Sequence, residues 1–213
     1  MSTYDLEEQE QLAAFKAWWK DNGNTVLTAA IAVLLAIAAW NGWIWYQRTQ
    51  AAQAAALYET LQKAARANDV KATRDAAGAI LENYPRTAYA PLAALTSAKV
   101  HFQSGDLKTA RAQLLWVVEN ARNEQVRAIA RLRLANVLLD DGAPEEALKT
   151  LEVQPGPAFE ALFAAQRGDI LVAQKKFADA RAAYRSALEK ADEKDAALRE
   201  SLRVKLDALG EAS

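Results

Sequence analysis

The stretch ALFAAQRGDILVAQKKFADARAAYRSALEKADEK, residues 161–194, decides how the chain folds. Its apolar residues recur at helical spacing, as in Phe177, Ala180, Tyr184, Ala187 and Leu188. Nothing in it alternates with the period of two that a strand requires. A polar break at Lys175 divides it into two helices, with Gly168 seven residues before the break and Ala180 five after it. Working outward, the same marks recur. Gly105 in HFQSGDLKTA and Gly142 in VLLDDGAPEEA precede Lys175 at intervals of 37 and 33 residues. Each is followed five residues later by Ala (Ala110, Ala147) and preceded seven earlier by a small residue (Ala98, Ala135). Large residues then recur at Leu114, Leu151 and Tyr184.

A period near 34 residues, with small residues where two helices cross, is the tetratricopeptide pattern. Small side chains let the two helices of a unit approach closely, and larger ones fill the space between units. The unit around Gly142 is expected to be truncated, because Pro155-Gly156-Pro157 ends its second helix early. A degenerate unit is expected from Ala54 to Pro85, and a capping helix from about Asp195 to Leu209 that shields the last apolar face. The expected fold class is all-α.

Composition poses a puzzle: 52% of residues are apolar, yet the mean hydropathy is −0.18. Part of the apolar share is Ala, a small helix former. The most apolar residues gather in TVLTAAIAVLLAIAAWNGWIWY, residues 25–46, and no charge lies between Asp21 and Arg48. As a helix, about 20 apolar residues match the hydrocarbon core of a bilayer. Trp18 and Trp19 before the run, and Trp40, Trp43, Trp45 and Tyr46 at its end, stand where interfacial aromatic belts occur. The acidic start (Asp5, Glu7, Glu8, Glu10) and aromatic exit are unlike a cleaved signal peptide. The expected organisation is a short cytoplasmic tail over 1–22, a single transmembrane helix over 23–47, and the repeat domain over 48–213. Lys16 and Lys20 before the span, against Arg48 after it, favour a cytoplasmic tail by a small margin.

The chain has no Cys, one His and a net charge of −1. This excludes disulfides and thiolate metal sites, and the absence of a basic excess argues against nucleic acid. There is no glycine-rich phosphate loop and no nucleophile elbow, so neither an enzyme nor a cofactor is expected. His101 reads as a packed structural residue. Arg167-Gly168-Asp169 falls inside a helix, where Gly168 is the crossing residue, and not in an adhesion loop. What an array offers is a concave surface lined by the first helix of each unit. The partner-binding groove is expected to hold Leu92, Leu95, Lys99 and Phe102, then Leu132, Asn136 and Leu139, then Leu162, Asp169 and Val172. Of the Lys, Asn and Arg set that clamps a terminal carboxylate, only Lys99 and Asn136 stand at suitable positions. Recognition by shape and apolar contact is therefore the expectation.

The combined order of these pieces resembles the YfgM family of ancillary SecYEG translocon subunits. The resemblance runs through YDLEEQEQLAAFKAWWKDNGN (4–24) leading into one span, and LENYPRTAYAPLAAL (81–95). It continues through RAIARLRLANVLLDDGAPEEALKTLE (127–152) and FEALFAAQRGDILVAQKKFADARAAY (159–184). It implies a single-pass protein of the bacterial inner membrane, N-terminus cytoplasmic and repeat domain periplasmic. The implied partners are the SecYEG translocon, the periplasmic chaperone PpiD, exported unfolded polypeptides and the lipid bilayer. It implies no catalytic residue. A membrane-anchored repeat scaffold for another cell-envelope assembly is the alternative reading.

Overall fold

In the structure, a computed structural model, the helices are α1 (Thr3–Arg66), α2 (Val70–Asn83), α3 (Tyr89–Gln103), α4 (Leu107–Asn120) and α5 (Glu124–Asp140). They continue as α6 (Pro144–Thr150), a 3-10 turn (Pro157–Phe159), α7 (Glu160–Ala173), α8 (Phe177–Lys190) and α9 (Ala196–Ala208). The structure describes residues 3–210, with side chains at position 8 and from position 10 onward. Asp5 and Glu7 of the acidic start lie outside the described side chains. No strand occurs among the described residues. Contacts divide the chain into two compact units, Met1–Gln50 and Ala51–Ser213.

The first unit is helix. No Pro interrupts it, and the Glu, Gln, Leu, Ala and Lys residues before the apolar run favour helix, so the expected tail is helical from Thr3 onward. Polar side chains within it turn back onto its own backbone: Thr28 Oγ1 donates to the Asn24 carbonyl at 2.7 Å. That is how a hydroxyl is satisfied where water is scarce. Val33, Leu34 and Leu35 expose more than half of their surface. The helix is long and apolar enough to cross a membrane, and a bilayer is the environment in which that exposure is favourable.

The second unit is built from helix pairs whose turns are closed identically. Asn68, Gly105, Gly142 and Lys175 take left-handed backbone (φ 53°, 83°, 74° and 61°). The residue after each donates its N–H to the carbonyl five positions back: Asp69 to Ala64, Asp106 to His101, Ala143 to Leu138 and Lys176 to Leu171, at 2.8–3.0 Å. The left-handed residue itself bonds three positions back. This pair of hydrogen bonds closes the last turn of a helix and needs a residue that tolerates positive φ. Asn68 makes the fourth such turn, inside the degenerate unit expected from Ala54 to Pro85. In the first two turns the next residue also caps the following helix: the Asp69 carboxylate accepts from Ala72 N–H and the Asp106 carboxylate from Thr109 N–H.

Lys175 is the ill-suited member, since a Cβ in the left-handed region costs about 1–2 kcal/mol. Lys175→Gly is therefore expected to stabilise the domain by about 1 kcal/mol. That would raise the melting temperature of the full chain by about 2–4 °C, measured by circular dichroism in detergent micelles.

The turns put the helix-crossing residues in register. Counting seven back and nine forward from each left-handed residue gives Leu61 with Ala77, Ala98 with Leu114, Ala135 with Leu151, and Gly168 with Tyr184. All eight are buried. In each pair one member is small where the other is large. The last pair is the most extreme: a Cβ on Gly168 would lie 2.5 Å from Tyr184 Cδ1 and 2.9 Å from Cζ. Units are tied to their neighbours through Arg at a repeated position, six after the turn. Arg74 reaches Asp106 at 3.3 Å, Arg111 reaches Glu146 at 2.7 Å, and Arg181 donates to the Leu209 carbonyl at 3.2 Å.

The third pair is cut short, as Pro155-Gly156-Pro157 predicts: α6 has 7 residues. The array is closed by α9. Asp195 caps its start by accepting from Leu198 N–H at 3.0 Å. Leu202 is 1% exposed, and Leu198, Leu206 and Leu209 pack beside it on the α7–α8 face. Arg199 donates to the Leu188 and Ala191 carbonyls, satisfying the open end of α8.

Candidate functional site

Along the first helices of successive pairs, two cavities adjoin within the second unit. One, of about 310 Å³, has Ala98, Lys99 and Phe102 of α3 on one side and Arg133, Asn136 and Val137 of α5 on the other, with Leu114 beneath. The other, of about 620 Å³, lies between the end of α1 (Tyr58, Gln62, Arg66) and α3 (Leu92, Leu95, Lys99, Gln103). Lys99 and Arg133 line both, so the two form one groove. Helical spacing explains the lining: Tyr58, Gln62 and Arg66 recur every four residues, and Leu92, Leu95, Lys99 and Gln103 every three or four. Leu92 is 40% exposed in the groove and Leu95 is buried beneath it.

The ten residues expected to line the groove therefore divide. Leu92, Leu95, Lys99, Phe102 and Asn136 come together in it. Asn136 Oδ1 also accepts from Gln166 of α7 at 2.5 Å, at the groove's edge. Leu132 and Leu139 are half-buried against the central core, and Val172 against the C-terminal one. Leu162 is 39% exposed on α7, outside these two cavities. Asp169 is engaged within the domain. It accepts from the Tyr184 hydroxyl at 2.7 Å, and Lys205 of α9 reaches its two oxygens at 2.6 and 2.8 Å. Burial, with the Asp169 carboxylate beside it, pushes the Tyr184 phenol well above its ordinary range. Arg167 donates to the Leu151 carbonyl, so the Arg167-Gly168-Asp169 triplet is consumed inside the fold.

Among the groove residues that sequence reasoning missed are Arg133, Thr96 and Gln103, and the Tyr58–Gln62–Arg66 row. Arg133 carried a readable signal, since it stands three residues before Asn136 and shares its helix face.

The shifted titrating groups on this side of the molecule are structural. His101 has no exposed surface, and its Nδ1 lies 3.1 Å from Asp106 Oδ2. Burial holds the imidazole below its ordinary value near 6.5, against the opposing pull of Asp106. The folded state thus binds fewer protons than the unfolded state below that value, and stability falls as pH drops through it. Because this is the chain's one His, His101→Phe is expected to flatten the dependence of melting temperature on pH between about 5 and 7.

The tetratricopeptide repeat-like domain family matches residues 16–211. A protein of Haemophilus influenzae is 34% identical over 175 residues, covering 80% of this chain and 83% of its own. One of Neisseria gonorrhoeae is 32% identical over 208 residues (96% and 98%). One of Escherichia coli K12 is 27% identical over 209 residues (98% and 99%). All three carry the name ancillary SecYEG translocon subunit.

Proposed function

Because the chain belongs to the tetratricopeptide repeat-like family of ancillary SecYEG translocon subunits, we propose that it is a membrane-anchored, non-catalytic interaction protein of the translocon. The apolar segment of α1 holds it in the bacterial inner membrane as a single-pass protein. Lys16 and Lys20 keep the N-terminus in the cytoplasm, under the positive-inside rule, and the repeat domain lies in the periplasm. There it links exported, unfolded polypeptides to a periplasmic chaperone such as PpiD.

The observation that supports this reading is the groove of α1, α3 and α5. It has an apolar floor at Leu95 and Phe102 and polar amides at its sides. Such a surface binds by a desolvated apolar centre and a polar rim that sets register. The affinity is modest, so that a passing polypeptide can leave. The test is co-purification of the tagged full chain from detergent-solubilised membranes, with partners identified by mass spectrometry. SecYEG subunits together with a periplasmic chaperone are the expected result. Recovery of cell-division or outer-membrane assembly proteins alone would replace this reading with that of a scaffold for another assembly.

A further inference from the structure

The net charge of −1 averages over a local imbalance. Among the described residues, Arg66, Lys99 and Arg133 line the groove, and no carboxylate does. Among the described residues none of the three has an ion-pair partner. Unpaired like charges brought together in a concave surface repel one another, and an anion placed among them relieves that repulsion.

We propose that the groove takes an extended polypeptide segment in which acidic side chains are set among apolar ones. The inference rests on the reading of this groove as the docking surface, and it names the chemistry that the groove selects. Lys99 and Arg133 stand where both cavities meet, so a carboxylate there is held midway along the segment and not at a chain end. Apolar side chains on either side of it fall onto Leu92 and Leu95 in one cavity and Phe102 in the other. Gln62, Gln103 and Asn136 offer amides of the kind that pair with the backbone of an extended chain. Arg133 supplies a planar fork that can hold a carboxylate through two bonds.

The test is fluorescence anisotropy with the full chain in detergent micelles. The probe is a short labelled peptide of Leu, Ser and Glu, amidated at its C-terminus so that only side-chain carboxylates are present. A sister peptide carries Gln in place of Glu. The Glu peptide is expected to bind about tenfold more tightly at low salt, with the difference shrinking as salt is raised. Lys99→Gln with Arg133→Gln should abolish that difference by weakening the Glu peptide more than the Gln peptide. Both residues are exposed, and circular dichroism checks that the fold is kept. Equal binding of the two peptides, a preference that survives the double variant, or binding of neither peptide would each overturn the proposal. Phe102→Ala separates the two readings. If it weakens both peptides while the Glu preference is absent, the groove docks polypeptide without selecting charge. If it changes neither, the docking surface lies elsewhere and both readings fall.

Discussion

Gly168→Ala is expected to destabilise the repeat domain by about 2–3 kcal/mol, and Tyr184→Leu in the same chain to recover most of that loss. In an ordinary helix the first change would stabilise by about 1 kcal/mol, since Ala is the better helix former. Here the new Cβ would stand 2.5 Å from the Tyr184 ring. The ring cannot swing away, because its hydroxyl is held by Asp169 and the residue is buried. Overpacking of this kind costs about 1–3 kcal/mol. The double variant rebuilds the Ala–Leu pairs that the fold already carries at Ala98 with Leu114 and Ala135 with Leu151. A double-mutant cycle on melting temperatures should return a favourable coupling of about 2 kcal/mol between the two sites. Strictly additive effects would show that these residues do not form the crossing.

Leu202→Ala is expected to cost about 2–4 kcal/mol, a large loss for an exchange in a terminal helix. Leu202 is the fully buried anchor of α9, and that helix is what the last pair has in place of a further repeat. A repeat array leaves an apolar face at its end, and a capping helix is what keeps that face from water. A chain ended after Glu193 should therefore lose more than α9 itself. Without it, Lys205 no longer meets Asp169, and Arg199 no longer closes α8. Hydrogen exchange should show α7 and α8 losing protection together, while α3 and α4 keep theirs. Unchanged protection in α7 and α8 would show that the array needs no cap.

Much of the fold was legible because the turns require particular residues. Gly105 and Gly142 mark left-handed backbone that few others adopt, and the last turn is read from spacing alone, since Lys175 is an unusual occupant. The first pair was harder to read. There the size order of the crossing is inverted: Leu61 lies on the first helix and Ala77 on the second. A search for a small residue seven before the turn therefore finds a large one. The crossing needs one small and one large partner, and either helix can supply either. The candidate site was legible where helical spacing carried it, on α3. On α5, hydrophobicity alone favours Leu132 as lining over the adjacent Arg133. A one-residue step turns a helix by about 100°, so Leu132 packs into the core while Arg133 faces the groove. Asp169 has no partner legible in its own helix, because Tyr184 and Lys205, which hold it, are distant in sequence.

The anchored groove is tested most directly by site-specific photocrosslinking in intact membranes. A photoreactive side chain is placed at Phe102, inside the groove, and in a separate chain at Leu115, exposed on α4 outside it. From Phe102 the expected adducts are translocon subunits, a periplasmic chaperone or polypeptides in export, with few from Leu115. Equal yields at the two positions, or adducts from Leu115 alone, would contradict the assignment of the groove as the working surface.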